Sequence, residues 1–319
     1  MTHRIRNVAV GGGGRLLLSL CTGLFLSLHA GAALAQTVAG SADLAHVPSN
    51  ASVVAYANVR EVMLSDVWAR IRQSAGDELG ALRVEQLGLD LEHDIDEVIA
   101  YVAPGATAGQ PAGMALLRGR FDMTRLEAAA RDAGATVSDH EGTRVVSIEA
   151  DEVGALAMAA LEPGVVVVGT LANVHQAIDQ RSAGGDVTAN DEIMALLDRV
   201  ERGSHAWAVG RLGDLDALGI LPADVPVEIP AVTAFALSAR VDGGIGASIA
   251  IDGRDEETGQ HLRDVMRGVV ALVRTQATAS VELQTLVDSV VLGGSGLTAT
   301  VSFTLPSQAL DLIFAAAAP

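Results

Sequence analysis

The densest set of side chains able to do chemistry is Glu92, Asp94, Asp96 and Glu97. On an extended strand Asp94 and Asp96 share one face, where two carboxylates hold a hard cation such as calcium or work as a paired acid and base. The stretch lacks the alternating acids, central glycine and terminal glutamate of a calcium-binding hand. The same acids in a first helical turn need no ligand, because the helix dipole favours negative charge there. Asp139-His140-Glu141 sets an imidazole between two carboxylates, a pH-responsive arrangement that also describes an ordinary polar hairpin tip. His46, His93, His175, His205 and His261 are scattered, with no His-x-His or His-Glu-x-x-His metal spacing. Only convergence of distant positions in space would gather them into a site.

Nucleophilic and anion-binding motifs are equally thin. Gly293-Gly294-Ser295-Gly296 is not the Gly-x-Ser-x-Gly elbow, and turn glycines explain it. Val168-Gly169-Thr170 joins a strand to a helix N-terminus, an anion-binding arrangement, but has one glycine where dinucleotide loops need several. Arg263, Arg267 and Arg274 line one side of a long helix opposite its apolar stripe, with Glu256, Glu257 and Asp264 near enough to pair with them. Arg60 and Arg211 are different, because each closes a short strand of the same plan. Two arginines so related would clamp a carboxylate or phosphate. Arg60 and Arg211 are therefore the ligand-binding candidates, Asp94 and Asp96 the metal candidates, and no catalytic residue or cofactor is assigned.

Composition removes whole reaction classes. All 21 basic residues are arginine, so there is no Schiff-base lysine, P-loop lysine or Ser-x-x-Lys nucleophile. Residues 1–35 have the pattern of an export signal: Arg4, Arg6 and Arg15, an apolar run over residues 16–28, and Ala33-Leu34-Ala35 as a small-x-small cleavage site. The rival is an uncleaved anchor, since residues 16–35 are about long enough to span a bilayer. The only cysteine, Cys21, lies in this leader, which leaves 284 residues without a disulfide or a thiolate. Those residues carry 18 arginines against 39 acids, a balance that repels nucleic acid and anionic membrane.

The elements that would position these residues look like one α+β unit used twice. Ala55-Tyr56-Ala57-Asn58-Val59-Arg60 and Ala206-Trp207-Ala208-Val209-Gly210-Arg211 share a plan, 151 positions apart. Residues 98–101 answer to 232–235, and 146–148 to 301–303. A polar lead, 36–50, precedes the first unit, 51–202, which holds an inserted ββαα segment over 155–200; the second unit is 203–319. Leu64, Val67, Trp68 and Ile71 recur at helical spacing, and a further helix carries Leu79, Leu82 and Leu87. Asp122, Thr170 and Asn190 read as helix caps, and Asp242-Gly243-Gly244 as a tight hairpin turn. The longest helix, 256–278, has a stripe of Leu262, Val265, Met266, Val269, Val270 and Val273. Ser307 would cap an Ala-rich tail helix with Leu310, Ile313 and Phe314.

The opening Val47-Pro48-Ser49-Asn50-Ala51-Ser52-Val53-Val54-Ala55-Tyr56-Ala57-Asn58-Val59, with Asp94-Ile95-Asp96 and the Trp207 strand, resembles a family of uncharacterised exported bacterial proteins carried as a domain of unknown function. That resemblance covers nearly the whole chain beyond the leader and implies no activity, cofactor or catalytic residue. The expected fold is α+β, two pseudo-repeats of antiparallel-rich sheet with helices packed on one face. The expected protein is periplasmic or secreted, without stable membrane insertion once the signal is removed. It acts as a non-catalytic module binding an envelope protein or small ligand. The alternatives are a carrier of an apolar or amphiphilic ligand between the two repeats, and a hydrolase whose site assembles only in three dimensions.

Overall fold

A computed structural model of the chain describes residues 40–75, 93–104, 111–150, 154–183, 185–212, 232–276 and 281–307. The chain divides into two units, Met1–Thr37 and Val38–Pro319, and every described residue belongs to the second. The helix expected around Leu79 to Leu87 and the tail helix after Ser307 lie outside the described residues, as does the leader.

The strands are β1 (Val53–Asn58), β2 (Ile95–Pro104), β3 (Pro111–Gly119), β4 (Thr136–His140), β5 (Thr143–Ala150), β6 (Gly154–Glu162), β7 (Val165–Thr170), β8 (Ala206–Arg211), β9 (Val232–Val241), β10 (Gly244–Gly253), β11 (Val291–Gly293) and β12 (Thr298–Pro306). Among the described residues they form one sheet, ordered β11-β12-β10-β9-β8-β1-β2-β3-β7-β6-β5-β4, and every pairing is antiparallel. The two halves are thus not separate sheets. They join where β1 meets β8, with Tyr56 opposite Trp207 and Ala55 opposite Ala208. β12 lies beside β10 as β7 lies beside β3, whereas β5 is two strands further out. The likeness of 146–148 to 301–303 is therefore not a likeness of position in the sheet.

The helices are α1 (Val59–Met63), α2 (Asp66–Ala75), α3 (Met123–Asp132), α4 (Leu171–Ala183), α5 (Asp191–Leu197), α6 (Glu256–Gln276) and α7 (Val281–Ser289). Local chemistry fixes several starts. The Asp122 carboxylate accepts from Arg125 N–H at 3.0 Å, Asn190 from Ile193 N–H at 3.1 Å, and the Thr170 hydroxyl from Asn173 N–H at 3.4 Å. The helix expected through Leu64 is broken at Ser65, whose hydroxyl accepts from Trp68 N–H at 3.1 Å and starts α2, leaving Leu64 77% exposed.

Helices cover both faces of the sheet, not one. Strand residues alternate sides, and the alternation sorts neighbouring residues into different cores: Leu116, Val165, Val167 and Val145 on one side, Leu117, Val166 and Val146 on the other. On the first side α4 and α5 bring Val174, Ile178, Ile193 and Leu197 into one continuous core that reaches Trp207 and Ala236. On the second side there are two smaller cores. One sits under α3, with Leu126 and Ala130, and the other joins Val67 of α2, Leu286 of α7, Val241, Ile245 and Leu305. The expected polar lead is part of the first core. Ser41–His46 forms a 3-10 helix, and Leu44 and Val47, three apart, are buried. Gly40, at φ 83°, lies so close to the Tyr56 ring that a Cβ there would stand 2.3 Å from it.

Candidate functional site

Most of the described residues singled out for their chemistry have a partner of opposite charge or a structural duty, and Glu92 lies outside the described residues. Asp94 and Asp96 sit at the start of β2 and not in a helical turn; the register with β3 shifts between Ile95 and Glu97. Asp94 pairs with Arg125 at 2.9 Å, and Asp96 with Arg60. The two carboxylates are thus drawn to different arginines from different helices. Among the described residues no three His, Cys, Asp or Glu side chains form a group that could hold a metal ion.

Arg60 and Arg211 do not converge. Arg211 N–H donates to Ser52 at one end of the β1–β8 pair, while Asn58 N–H donates to His205 at the other. At about 3.3 Å per residue the strand length separates them by roughly 20 Å. Arg211 pairs with Glu192 at the start of α5, at the opposite end of the neighbouring strands from the Arg60–Asp96 pair. One small anion cannot bridge the two, so the clamp inferred from the repeated arginine is not built.

Between those ends the aromatic pair has a structural role. The Tyr56 and Trp207 rings stack at 5.7 Å, 21° apart, and both are buried. The Tyr56 hydroxyl donates to Glu97 at 3.0 Å. Burial raises the Tyr56 pKa well above the ordinary phenol range, helped by the hydrogen bond to Glu97 and the charges of Glu97 and Asp43. Burial alone lifts Tyr101 to about 12. Beside them Arg118 Nε donates to both oxygens of Asp43, at 3.0 and 2.8 Å, and Arg118 also nears Glu162 at 3.8 Å. The Asp43 hydrogen bond, against the cost of burial, raises the Arg118 pKa further. Asp43 is 4% exposed, and nothing in the composition of residues 36–50 marks it out.

The hairpin tip did gather a second histidine. His140 stacks on His175 of α4, ring centres 4.0 Å apart and planes 3° from parallel, and its Nε2 is 2.7 Å from Asp179 one helical turn on. Among the described residues His175 Nε2 is buried and meets no hydrogen-bond partner. Asp139 is taken up in the turn, accepting from Gly142 N–H at 3.1 Å. Ser295 sits in the β11–β12 turn, where its carbonyl accepts from Thr298 N–H at 3.0 Å. In the second half Arg199 holds Asp252 through two hydrogen bonds of 2.6 and 3.1 Å. Burial pushes the Asp252 pKa up, but the hydrogen bonds from Arg199 and Thr298 and the Arg199 charge outweigh it, so the carboxyl ends below its ordinary value.

Among the described residues, one feature that their packing does not explain is an apolar surface. On one face of the central strands Val54, Tyr56, Ile99, Tyr101, Trp207, Val209 and Ala236 are all buried. Their alternates on the other face are all half-buried: Val53, Ala55, Ala57, Val98, Ala100, Ala206, Ala208, Phe235, Leu237 and Ala239. That face has no described polar side chain between Phe235 and Ala239 of β9, along β8 and β1 and over the middle of β2, with Thr233 at its β9 end, and it lies between the two smaller cores. Its floor, on β8 and β1, is mostly alanine, and bulkier residues flank it on β9 and β2. Such a surface has the chemistry to take up apolar matter by shape and desolvation. Residue spacing alone could not find it, because the strands that compose it are brought together only by the β1–β8 pairing.

No family model and no curated protein matches the chain. One solved structure, crystal form IV of TP0453, is similar over 85% of this chain and 95% of its own, at 12% identity and a TM-score of 0.48. Among the described residues no helix is long and apolar enough to cross a membrane.

Proposed function

We propose that the protein is an exported, non-catalytic binding protein of the bacterial envelope, and that its ligand seat is the half-buried apolar face over β9, β8, β1 and β2. The observation that carries this reading is the contrast between the two sides of the same strands: one sealed, the other apolar over its middle and still partly open to solvent. Apolar surface left open has a cost in water of roughly 25 cal/mol per Å², and a contiguous patch of it marks a place where something binds. The seat crosses the junction of the two halves. The Tyr56–Trp207 register supports viewing those halves as pseudo-repeats around it. The ligand class that fits is an apolar or amphiphilic molecule, as the carrier alternative holds, with any polar head left in water. The hydrolase alternative has one feature in its favour, the His140–Asp179 pair, but no described serine, threonine or water-activating group is hydrogen-bonded to that imidazole.

Native mass spectrometry of residues 36–319, recovered under mild conditions from the periplasm, tests the reading. The expected result is a reproducible extra mass of a lipid-like molecule that vanishes on denaturation, or its uptake when added. A bare chain that takes up no added amphiphile overturns it.

A further inference from the structure

Strand register gives the half-buried apolar face a shape. Residues paired across antiparallel strands share a face, as do residues two apart along a strand. On that face Ala208, Ala55, Ala100 and Ala115 stand in one row, on β8, β1, β2 and β3. In the next row, two residues along the strands, stand Ala247, Ala239, Ala206 and Ala57, on β10, β9, β8 and β1. All of these alanines are half-buried. The rows overlap on β8 and β1 and run apart beyond them, so together they floor a trough that crosses the sheet at a slant from β10 to β3. Alanine is depleted in strands, and a double row of it leaves a depression that Val, Ile or Leu would fill. Larger side chains bound the trough. Leu237 and Ile249 border it on β9 and β10, and Val98 and Leu117 on β2 and β3. At its centre the Phe235 and Val53 side chains close over Gly210, where a Cβ would stand 2.8 Å from each. Phe303 of β12 follows Ala247 at one end, and Val168 of β7 follows Ala115 at the other.

We infer that the trough takes a single unbranched acyl chain, lying across the strands; this rests on the reading of the same face as the ligand seat. Width is the first argument. Successive rows on one face of a strand lie about 7 Å apart, so beyond β8 and β1 the floor is one row wide between larger side chains. One hydrocarbon chain fits there, stepping from row to row over the centre, and a fused ring system or two chains side by side do not. Length is the second. From β10 to β3 the strand spacings of about 4.8 Å add to a trough of about 24 Å. The acyl chains of one leaflet fill about half of a hydrocarbon core of about 30 Å, so a chain of that kind lies on the floor along its whole length. Chemistry is the third. Every methylene laid on the floor leaves water for alanine methyl groups, and alanine has no side-chain rotamers to lose when the chain settles. The alanines thus set both the shape of the ligand and the length of chain that is bound.

Equilibrium binding of radiolabelled octanoic acid, hexadecanoic acid and cholesterol to the protein recovered from the periplasm tests this. Hexadecanoic acid should bind about tenfold or more tightly than octanoic acid, and cholesterol far more weakly than hexadecanoic acid. Ala239→Leu and Ala100→Leu each interrupt the floor and leave about 14 Å of it. Either should weaken hexadecanoic acid about tenfold or more and change octanoic acid by less than about threefold. Ser248→Leu adds the same side chain to β10 on the other face, opposite Ser238, and should change neither. Equal affinity for the two acids, alanine variants that weaken both acids alike, or cholesterol bound as tightly as hexadecanoic acid overturns the inference and leaves the ligand seat standing. Binding of none of the three removes the seat and the inference together. The two alanine variants interrupt opposite halves of the trough, so either decides if the other does not fold.

Discussion

The two faces of the central strands are made by the same residues in alternation, yet they meet opposite fates. Toward α4 and α5, β1 and β8 send Val54, Tyr56, Trp207 and Val209, large side chains that interlock with Leu44, Val47 and Ile193 until nothing is left in solvent. Toward the other side they send Val53, Ala55, Ala57, Ala206 and Ala208, which stay half-buried. Side-chain size decides the difference. Large residues on the first face reach across the roughly 10 Å between packed layers, and alanine does not. One face seals the larger core, and the other is the shallow apolar floor on which the proposed ligand seat rests.

The largest expected effect contrasts the two faces directly. Trp207→Ala should lower stability by about 3–5 kcal/mol, because it empties a fully enclosed site, while Leu237→Ala on the open face should cost about 1 kcal/mol. Urea unfolding of both variants checks this, and equal losses would mean that the open face is sealed in solution. Next in size is Arg118→Met, which leaves the Asp43 carboxylate buried and unpaired. A loss of about 2–3 kcal/mol is expected, smaller than for a fully buried pair because Arg118 is 39% exposed. It should be accompanied by faster amide exchange over 41–47, where the sealed face is closed. Asp252→Asn should cost about 1–2 kcal/mol at neutral pH. The wild-type carboxyl titrates below its ordinary value when folded, so its contribution is complete above the ordinary carboxylate range and disappears as pH falls through the lowered pKa. The wild-type and Asp252→Asn stabilities should converge in acid; a gap that persists there removes the Arg199–Asp252 pair as its cause. The smallest effect is Ala55→Ser, within about 0.5 kcal/mol of wild type in urea, because its hydroxyl can still reach water.

The parts of this fold that were legible in the sequence are those decided within a few residues. Asp122, Thr170 and Asn190 cap helices as their types predict, and Asp242-Gly243-Gly244 turns β9 into β10, because cap and turn chemistry is local. The long-range pairings were not legible. Asp43 reaches Arg118 across 75 positions, and His140 meets His175 only because β4 and β5 fold against α4. The repeated strand plan was readable, but spacing carries no information on antiparallel register, and it is the register that sends Arg60 and Arg211 to opposite ends. Residues 36–50 read as a polar lead because polar content hides two apolar residues, Leu44 and Val47, which join Tyr56 in one core. The open face was out of reach for the same reason. Its alanines look like unremarkable strand residues until β1 and β8 lie side by side.

The most direct test of the account is a titration of the protein with cis-parinaric acid, an amphiphile that fluoresces on entering an apolar site. Three chains are compared: wild type, Ala208→Phe, which fills the floor of the open face, and Ser302→Phe, which adds the same ring on the other side of the sheet. The account predicts saturable binding to wild type and to Ser302→Phe, weakened about tenfold or more by Ala208→Phe in a chain that still unfolds cooperatively. Binding to all three alike, or to none, would contradict it.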